Sequence, residues 1–168
     1  MKLNLGSGSR PLAGFINVDI SSDMPNVDVV HDLNVIPWPF EENSADEVVM
    51  SHCLEHLEDR NLAMRELHRI LKPEGVARIT VPHFTWQMAY ADPTHKHFFA
   101  YPTFFYYSGR GGYFDFWFSY CHVKIRFGKR ISLWNYVIEP IANWFPTVYE
   151  QSPLRVFPAV SIEATLRK

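Results

Sequence analysis

Cysteine is scarce: Cys53 and Cys121 are the only two in 168 residues, and neither belongs to a CxxC pair. This argues against a disulfide-stapled scaffold and points to a reducing compartment, with a single Cys53–Cys121 bridge as the alternative. No run of 18 apolar residues occurs, so no membrane span is expected. The N-terminal Met1-Lys2-Leu3-Asn4-Leu5-Gly6 lacks the apolar core of a secretion signal. A cytoplasmic location is the expectation. An excess of one charge is also missing. The 16 Lys and Arg against 18 Asp and Glu leave a net charge of −2 and no basic block, which argues against nucleic acid as a partner. Repeats and low-complexity tracts are absent. What remains is 47% apolar and 20% charged, ordinary for a globular chain of a length that fits one α/β domain.

Residues 2–5 read as a short strand running into the glycine turn Gly6-Ser7-Gly8-Ser9. Residues 15–20 alternate and form a second strand, and residues 27–33 a third. Residues 45–51 form a fourth, apolar at its centre as strands covered on both faces are. Residues 59–71 are the clearest helix, ended by Lys72-Pro73-Glu74-Gly75. Strands follow at 76–81, 122–127 and 161–166, with a helix over 133–145. This is an α/β order: a Rossmann-like, mostly parallel sheet with an antiparallel closing strand and shortened first crossovers, in one domain spanning 1–168. Ligands of such sheets sit at the carboxyl ends of the strands.

More than half of the 13 Phe, 8 Tyr and 5 Trp fall between Phe84 and Tyr120. This aromatic insert, 84–120, has three readings: a lid over an acceptor pocket, packing on a sheet face left bare by short crossovers, or a homodimer interface. Gly109, Gly111 and Gly112 within it mark a hinge or a tight bend.

Gly6-Ser7-Gly8 lets the backbone turn sharply and approach a ligand, although a tight turn alone explains a GxG. Asp19, eleven residues after Gly8 at the end of the second strand, is placed to accept hydrogen bonds from both hydroxyls of a ribose; a solvated strand-end carboxylate is the plainer alternative. A dinucleotide needs a third glycine and a full helix whose N-terminus holds the pyrophosphate. Here the third position is Pro11, and only Leu12, Ala13 and Gly14 precede the second strand. S-adenosylmethionine has no phosphate, so the truncation harms its binding less.

At this point the residues resemble a family. Leu3-Asn4-Leu5-Gly6-Ser7-Gly8, Asn17-Val18-Asp19-Ile20, His31-Asp32-Leu33, Ile36-Pro37-Trp38-Pro39-Phe40, Ser51-His52-Cys53-Leu54-Glu55-His56-Leu57 and Leu71-Lys72-Pro73-Glu74-Gly75 follow one another like the segments of class I (Rossmann-like) S-adenosylmethionine-dependent methyltransferases of type 11. The resemblance covers about residues 3–83. It implies S-adenosylmethionine as cofactor, with Gly6, Ser7 and Gly8 against the methionine part, Asp19 at the ribose hydroxyls and Ile20 among the cofactor-binding residues. It further implies Asp32 and Leu33 at the adenine, and Ser51 and His52 near the sulfonium. No metal is implied.

Two departures stand out. The first two crossovers are too short for the family's helices, and the segment that covers the cofactor before the first strand is missing from this sequence. The resemblance implies a methyltransferase acting on a small-molecule or sugar-containing acceptor; a cofactor-binding module or partner subunit without chemistry is the alternative. Candidate catalytic groups are His83 after the fifth strand, and Asp92 and His95 in the insert. Glu55, His56 and His83 are equally suited to ordering loops. The His95-Lys96-His97 pair with Asp92 is a thin ligand set for a metal.

Overall fold

The computed structural model describes residues 1–109, 112–128 and 133–168. Its seven strands are β1 (Lys2–Leu5), β2 (Ile16–Asp19), β3 (Val29–Val30), β4 (Ala45–Ser51), β5 (Leu71–Pro82), β6 (Tyr120–Arg126) and β7 (Ser161–Arg167). They form one sheet in the order β3-β2-β1-β4-β5-β7-β6. Only β7 runs antiparallel to its neighbours, so the sheet is the mostly parallel one with an antiparallel closing strand that the sequence implies. The helices are α1 (Arg60–Ile70), α2 (Met88–Ala91), α3 (Asn135–Trp144) and α4 (Pro146–Gln151). Short 3-10 turns cover Leu54–His56, Tyr101–Ser108 and Pro153–Val156.

The sheet is covered throughout on one side and largely open on the other, where Asn4 and Asn17 are buried. Leu3, Leu5, Val48, Met50, Ala77, Ile79, Val123, Ala164 and Leu166 are buried in one cluster with Met64 and Leu67 of α1 and with Phe99, Phe104, Tyr107, Phe116 and Phe118 of the insert. The alternate residues of the same strands, among them Glu47, Val49, Ser51, Thr80, Glu163 and Thr165, are half-exposed. The expectation that β4 is covered on both faces is therefore corrected: its burial alternates. The cause lies in the crossovers. Residues 6–15 and 20–28 carry no helix, and helices there are what would cover the second face. The insert does not replace them, because its buried rings join the α1 side. The open face instead carries cross-strand ion pairs, Lys2 and Arg78 on Glu47 (both 3.0 Å) and Arg126 on Glu163 (2.7 Å), which keep it hydrophilic.

Two buried asparagines do the work of the missing first helix. Asn4 on β1 donates to Asn17 Oδ1 on β2 (2.9 Å) and to the Arg10 carbonyl (3.2 Å). Asn17 Oδ1 also accepts the Leu12 N–H (2.8 Å), so the loop is tied down by polar bonds where a helix would pack. Strand β3 is only two residues long, shorter than the 27–33 expected. Asp28 turns its carboxylate onto the Asn17 N–H (2.7 Å) and Asn26 takes a left-handed φ of 53°, which together shorten the ladder.

Helix α1 starts on Asp59, whose Oδ1 accepts the Asn61 and Leu62 N–H groups (2.8 and 3.1 Å). It ends one residue before the expected point, and Leu71 passes straight into β5. The pair of buried Glu66 and half-buried Arg69 (2.8 Å) then holds the 36–40 loop: Glu66 accepts the Trp38 N–H, and Arg69 donates to the Trp38 and Phe40 carbonyls. At the far end, α3 shields the outer edge of β6. Asn143 bonds both backbone groups of Ile125, and Glu139 accepts the Phe127 N–H. Gly109 ends the 101–108 turn at φ 84°, while Gly111 lies outside the described residues.

Candidate cofactor pocket and active site

The carboxyl ends of β1, β2 and β4 open onto a cavity of about 320 Å³. That volume lies in the range of small-molecule sites, roughly 300–1,000 Å³. Seven of the nine residues expected to hold a cofactor line it: Gly6, Gly8, Asp19, Ile20, Asp32, Leu33 and His52. The fold brings them together because β1, β2 and β4 are adjacent and parallel, so their carboxyl-end loops share one edge.

The turn after β1 is fixed by its backbone. Gly6 and Ser7 both donate to the Val18 carbonyl (2.9 and 3.0 Å), and Gly6 sits at φ 67°. A Cβ on Gly6 would overlap Cys53 Sγ and Cβ, so this position is closed to any side chain. The Cys53 thiol behind it is buried, and burial pushes its pKa up to about 12, away from any role as a thiolate. Asp19 is held by two backbone donors, Gly8 N–H on Oδ2 (2.7 Å) and Ser21 N–H on Oδ1 (3.1 Å). A carboxylate oxygen accepts two bonds, so each oxygen keeps one acceptor position. Ile20, 65% exposed, presents an apolar side chain at the rim. Asp32 Oδ1 accepts from Asn34 N and Nδ2 (2.9 and 3.0 Å), and the Leu33 carbonyl is fixed by Trp38 Nε1 (3.0 Å).

Two expected cofactor residues lie elsewhere. Ser51 lines a hollow of about 350 Å³ on the open sheet face, beside Asn4, Val49, Arg78 and Thr80. Strand alternation turns Ser51 away and leaves His52 to the pocket. Ser7 is buried behind the turn, and its Oγ has no hydrogen-bond partner among the described residues. The glycine position sealed by Cys53 and the two remaining acceptor positions on Asp19 fit a small nucleoside ligand.

The expected catalytic set divides. His83 is fully buried, and both ring nitrogens are engaged. Nε2 lies 2.9 Å from Glu150 Oε1, and Nδ1 accepts the Thr85 N–H (3.1 Å). Glu150 also accepts the Tyr101 N–H, so His83 staples β5, the insert and α4 together, with no nitrogen left to act as a base. That reading of His83 is corrected. Asp92 and His95 are near the pocket instead. The Lys96 N–H donates to the Glu55 carbonyl (2.8 Å), which docks residues 92–97 on the 54–56 turn and sets the His95 ring 4.7 Å from the ring of His56, a pocket residue. Hydrogen bonds from the Thr94 hydroxyl and N–H hold the Asp92 carboxyl below its ordinary range.

His31, Asn34, Cys53, His56 and Leu57, to which the sequence assigns no cofactor role, also line the pocket. The signal was present in His52-Cys53-Leu54-Glu55-His56, two histidines four apart around a glutamate. His52 takes a left-handed φ of 53°, and its Nδ1 lies 3.2 Å from the buried Glu55 Oε1. Glu55 thereby orients an exposed histidine at the pocket mouth.

Residues 5–79 match the family model described as a methyltransferase domain. Among curated proteins, the chain is 39% identical over 57 residues to the mitochondrial arginine-hydroxylase NDUFAF5 of Rattus norvegicus, a stretch that is 34% of this chain and 16% of that protein. It is 38% identical over 56 residues to a demethylmenaquinone methyltransferase of Staphylococcus aureus, 33% of this chain and 23% of that protein. The chain thus aligns with less than a quarter of either relative. The matched stretch occurs in proteins named for different reactions, so it does not fix the chemistry. Among solved structures, a SAM-dependent methyltransferase from Archaeoglobus fulgidus superposes with TM-score 0.69 at 20% identity, covering 99% of this chain and 85% of that one. One from Mesorhizobium loti gives 0.62 at 14% identity, covering 99% and 90%. These similarities show a shared fold.

Proposed function

We propose that this chain, a class I Rossmann-like methyltransferase domain by its strand order and by the family model it matches, binds S-adenosylmethionine and transfers its methyl group to a small-molecule acceptor. The observation that carries the reading is Asp19, a pocket-lining residue whose two carboxylate oxygens are each bonded to one backbone N–H and keep one acceptor position apiece. Vicinal ribose hydroxyls fill such a pair. Ile20 packs against the base, Asp32 Oδ2 accepts from its amino group, and Gly6-Ser7-Gly8 admits the methionine part close to the backbone. The sulfonium supplies an already activated methyl carbon.

The chain's own task is then alignment and water exclusion, and alignment alone is worth up to about 7–11 kcal/mol by effective-molarity arguments. A hydroxyl or amine acceptor also needs its proton removed. His52, exposed at the mouth and oriented by Glu55, is the group we assign to this, with a sugar hydroxyl as one candidate acceptor. The assay is S-adenosylhomocysteine release across a panel of hydroxyl and amine acceptors. Turnover that falls about 10²–10⁴-fold in His52→Ala supports the assignment. Cofactor binding with no product on any acceptor favours a binding module without chemistry.

A further inference from the structure

We propose that Glu55, His56 and His95 bind a divalent first-row metal ion of the Zn²⁺ or Mn²⁺ class at the mouth of the cofactor pocket. The ligand atoms of these three residues all lie within 4.8 Å of one another. The site is built from two parts of the chain, the 54–56 turn and the start of the insert, clamped by the Lys96 N–H on the Glu55 carbonyl.

Three observations single it out. First, Glu55 is 1% exposed, and its Oε2 has no hydrogen-bond partner among the described residues. A buried carboxylate oxygen left unpaired is costly, and a cation satisfies it. Second, both imidazoles are held in one tautomer. The Thr94 hydroxyl donates to Asp92 Oδ1 (2.6 Å), so it accepts from His56 Nδ1–H (2.9 Å) and leaves the lone pair on Nε2. His95 Nδ1 faces the Ala89 carbonyl (3.2 Å), which only accepts, so its lone pair is also on Nε2. Histidines that ligate metals are oriented by such bonds through their other nitrogen. Third, the donor set is two imidazoles and one carboxylate, which suits zinc, manganese, iron or cobalt rather than calcium or magnesium. The sequence alone offered His95, His97 and Asp92; the fold supplies Glu55 and His56 in place of His97. Asp92 Oδ2, 3.8 Å from His95 Nε2, is the nearby carboxylate.

Three protein ligands leave a coordination position open. Because His56 lines both sites, an acceptor hydroxyl bound at that position is polarised beside the cofactor pocket. This consequence rests on the methyl-transfer reading, whereas metal binding itself does not.

The test is titration of the metal-free full chain with Zn²⁺ and, separately, Mn²⁺ by calorimetry, alongside His95→Ala and Glu55→Gln. Visible absorption on adding Co²⁺ to wild type and His95→Ala reads the coordination directly. We expect one equivalent bound, weakened at least 100-fold in each variant, and cobalt d–d bands that disappear in His95→Ala. If Glu55→Gln fails to fold, His95→Ala, in a half-exposed turn, carries the comparison. Failure of wild type to take up either metal, or variants that bind within threefold of wild type, overturns the proposal. Zinc uptake without any binding of S-adenosylhomocysteine overturns the functional reading and leaves the metal site standing.

Discussion

Gly6 carries two constraints at once, a left-handed backbone and a side-chain position already taken by Cys53. Gly6→Ala is therefore expected to destabilise the fold by more than the roughly 1–2 kcal/mol that a left-handed residue costs. Replacing Cys53 with glycine in the same molecule removes the overlap but not the φ strain. A double-mutant cycle by urea denaturation should show a favourable coupling of about 1 kcal/mol or more. Strict additivity would mean that the turn relaxes away from Cys53 at no cost. His52 is the second residue whose setting is legible only in three dimensions. Its φ of 53° and its bond to Glu55 follow from a turn that immediately succeeds β4, and nothing in its immediate sequence announces a left-handed histidine.

At the scale of the element, α1 and the loop it holds make a testable unit. Burial by itself would raise the Glu66 pKa, but Arg69 and the Trp38 N–H outweigh it and hold the carboxyl below its ordinary value. A depressed folded-state pKa stabilises above the unfolded value, near pH 4.5, and the contribution is lost as pH falls through the folded value. Glu66→Gln should thus cost about 2 kcal/mol at pH 7 in chemical denaturation, with the gap to wild type closing in acid. A gap of the same size at pH 3 would show that the charge on Glu66 does not matter.

The elements themselves were legible to different degrees. β1 and β4 fall at the expected bounds, and α1 differs by one residue at each end, because apolar spacing and the Asp59 cap are local signals. β3 was overestimated because Asp28 and Asn26 divert the chain through contacts with β2 that no periodicity reveals. α4 was missed because Pro146 at its start and its six-residue length leave little pattern. Of the candidate site, the pocket lining at Gly6, Gly8 and Asp19 was readable from the glycine turn and the strand-end carboxylate. His83 was misassigned because position after a strand says nothing about whether Glu150, 67 residues away, occupies its ring.

The short first crossovers expected from the sequence leave residues 6–15 and 20–28 without helices, so the second sheet face is largely open. No helix among the described residues is long and apolar enough to cross a membrane. Two sides of the same strand should therefore respond differently to substitution. Thr165→Glu, on the open face, is expected to change stability by no more than about 0.5 kcal/mol. Ala164→Leu, one residue away and 1% exposed, should cost about 1–3 kcal/mol through overpacking. Equal effects in thermal melts would mean that the open face is covered in solution.

Asp19 is the residue on which nucleoside binding by this chain is proposed to depend. Calorimetric titration of S-adenosylhomocysteine into wild type and Asp19→Asn reads it most directly. Losing one acceptor oxygen while keeping the other should weaken binding about tenfold or more, in line with 1.5–3 kcal/mol for a hydrogen bond to a charged group. Wild-type protein that binds no S-adenosylhomocysteine, or Asp19→Asn that binds it as tightly as wild type, would contradict the account.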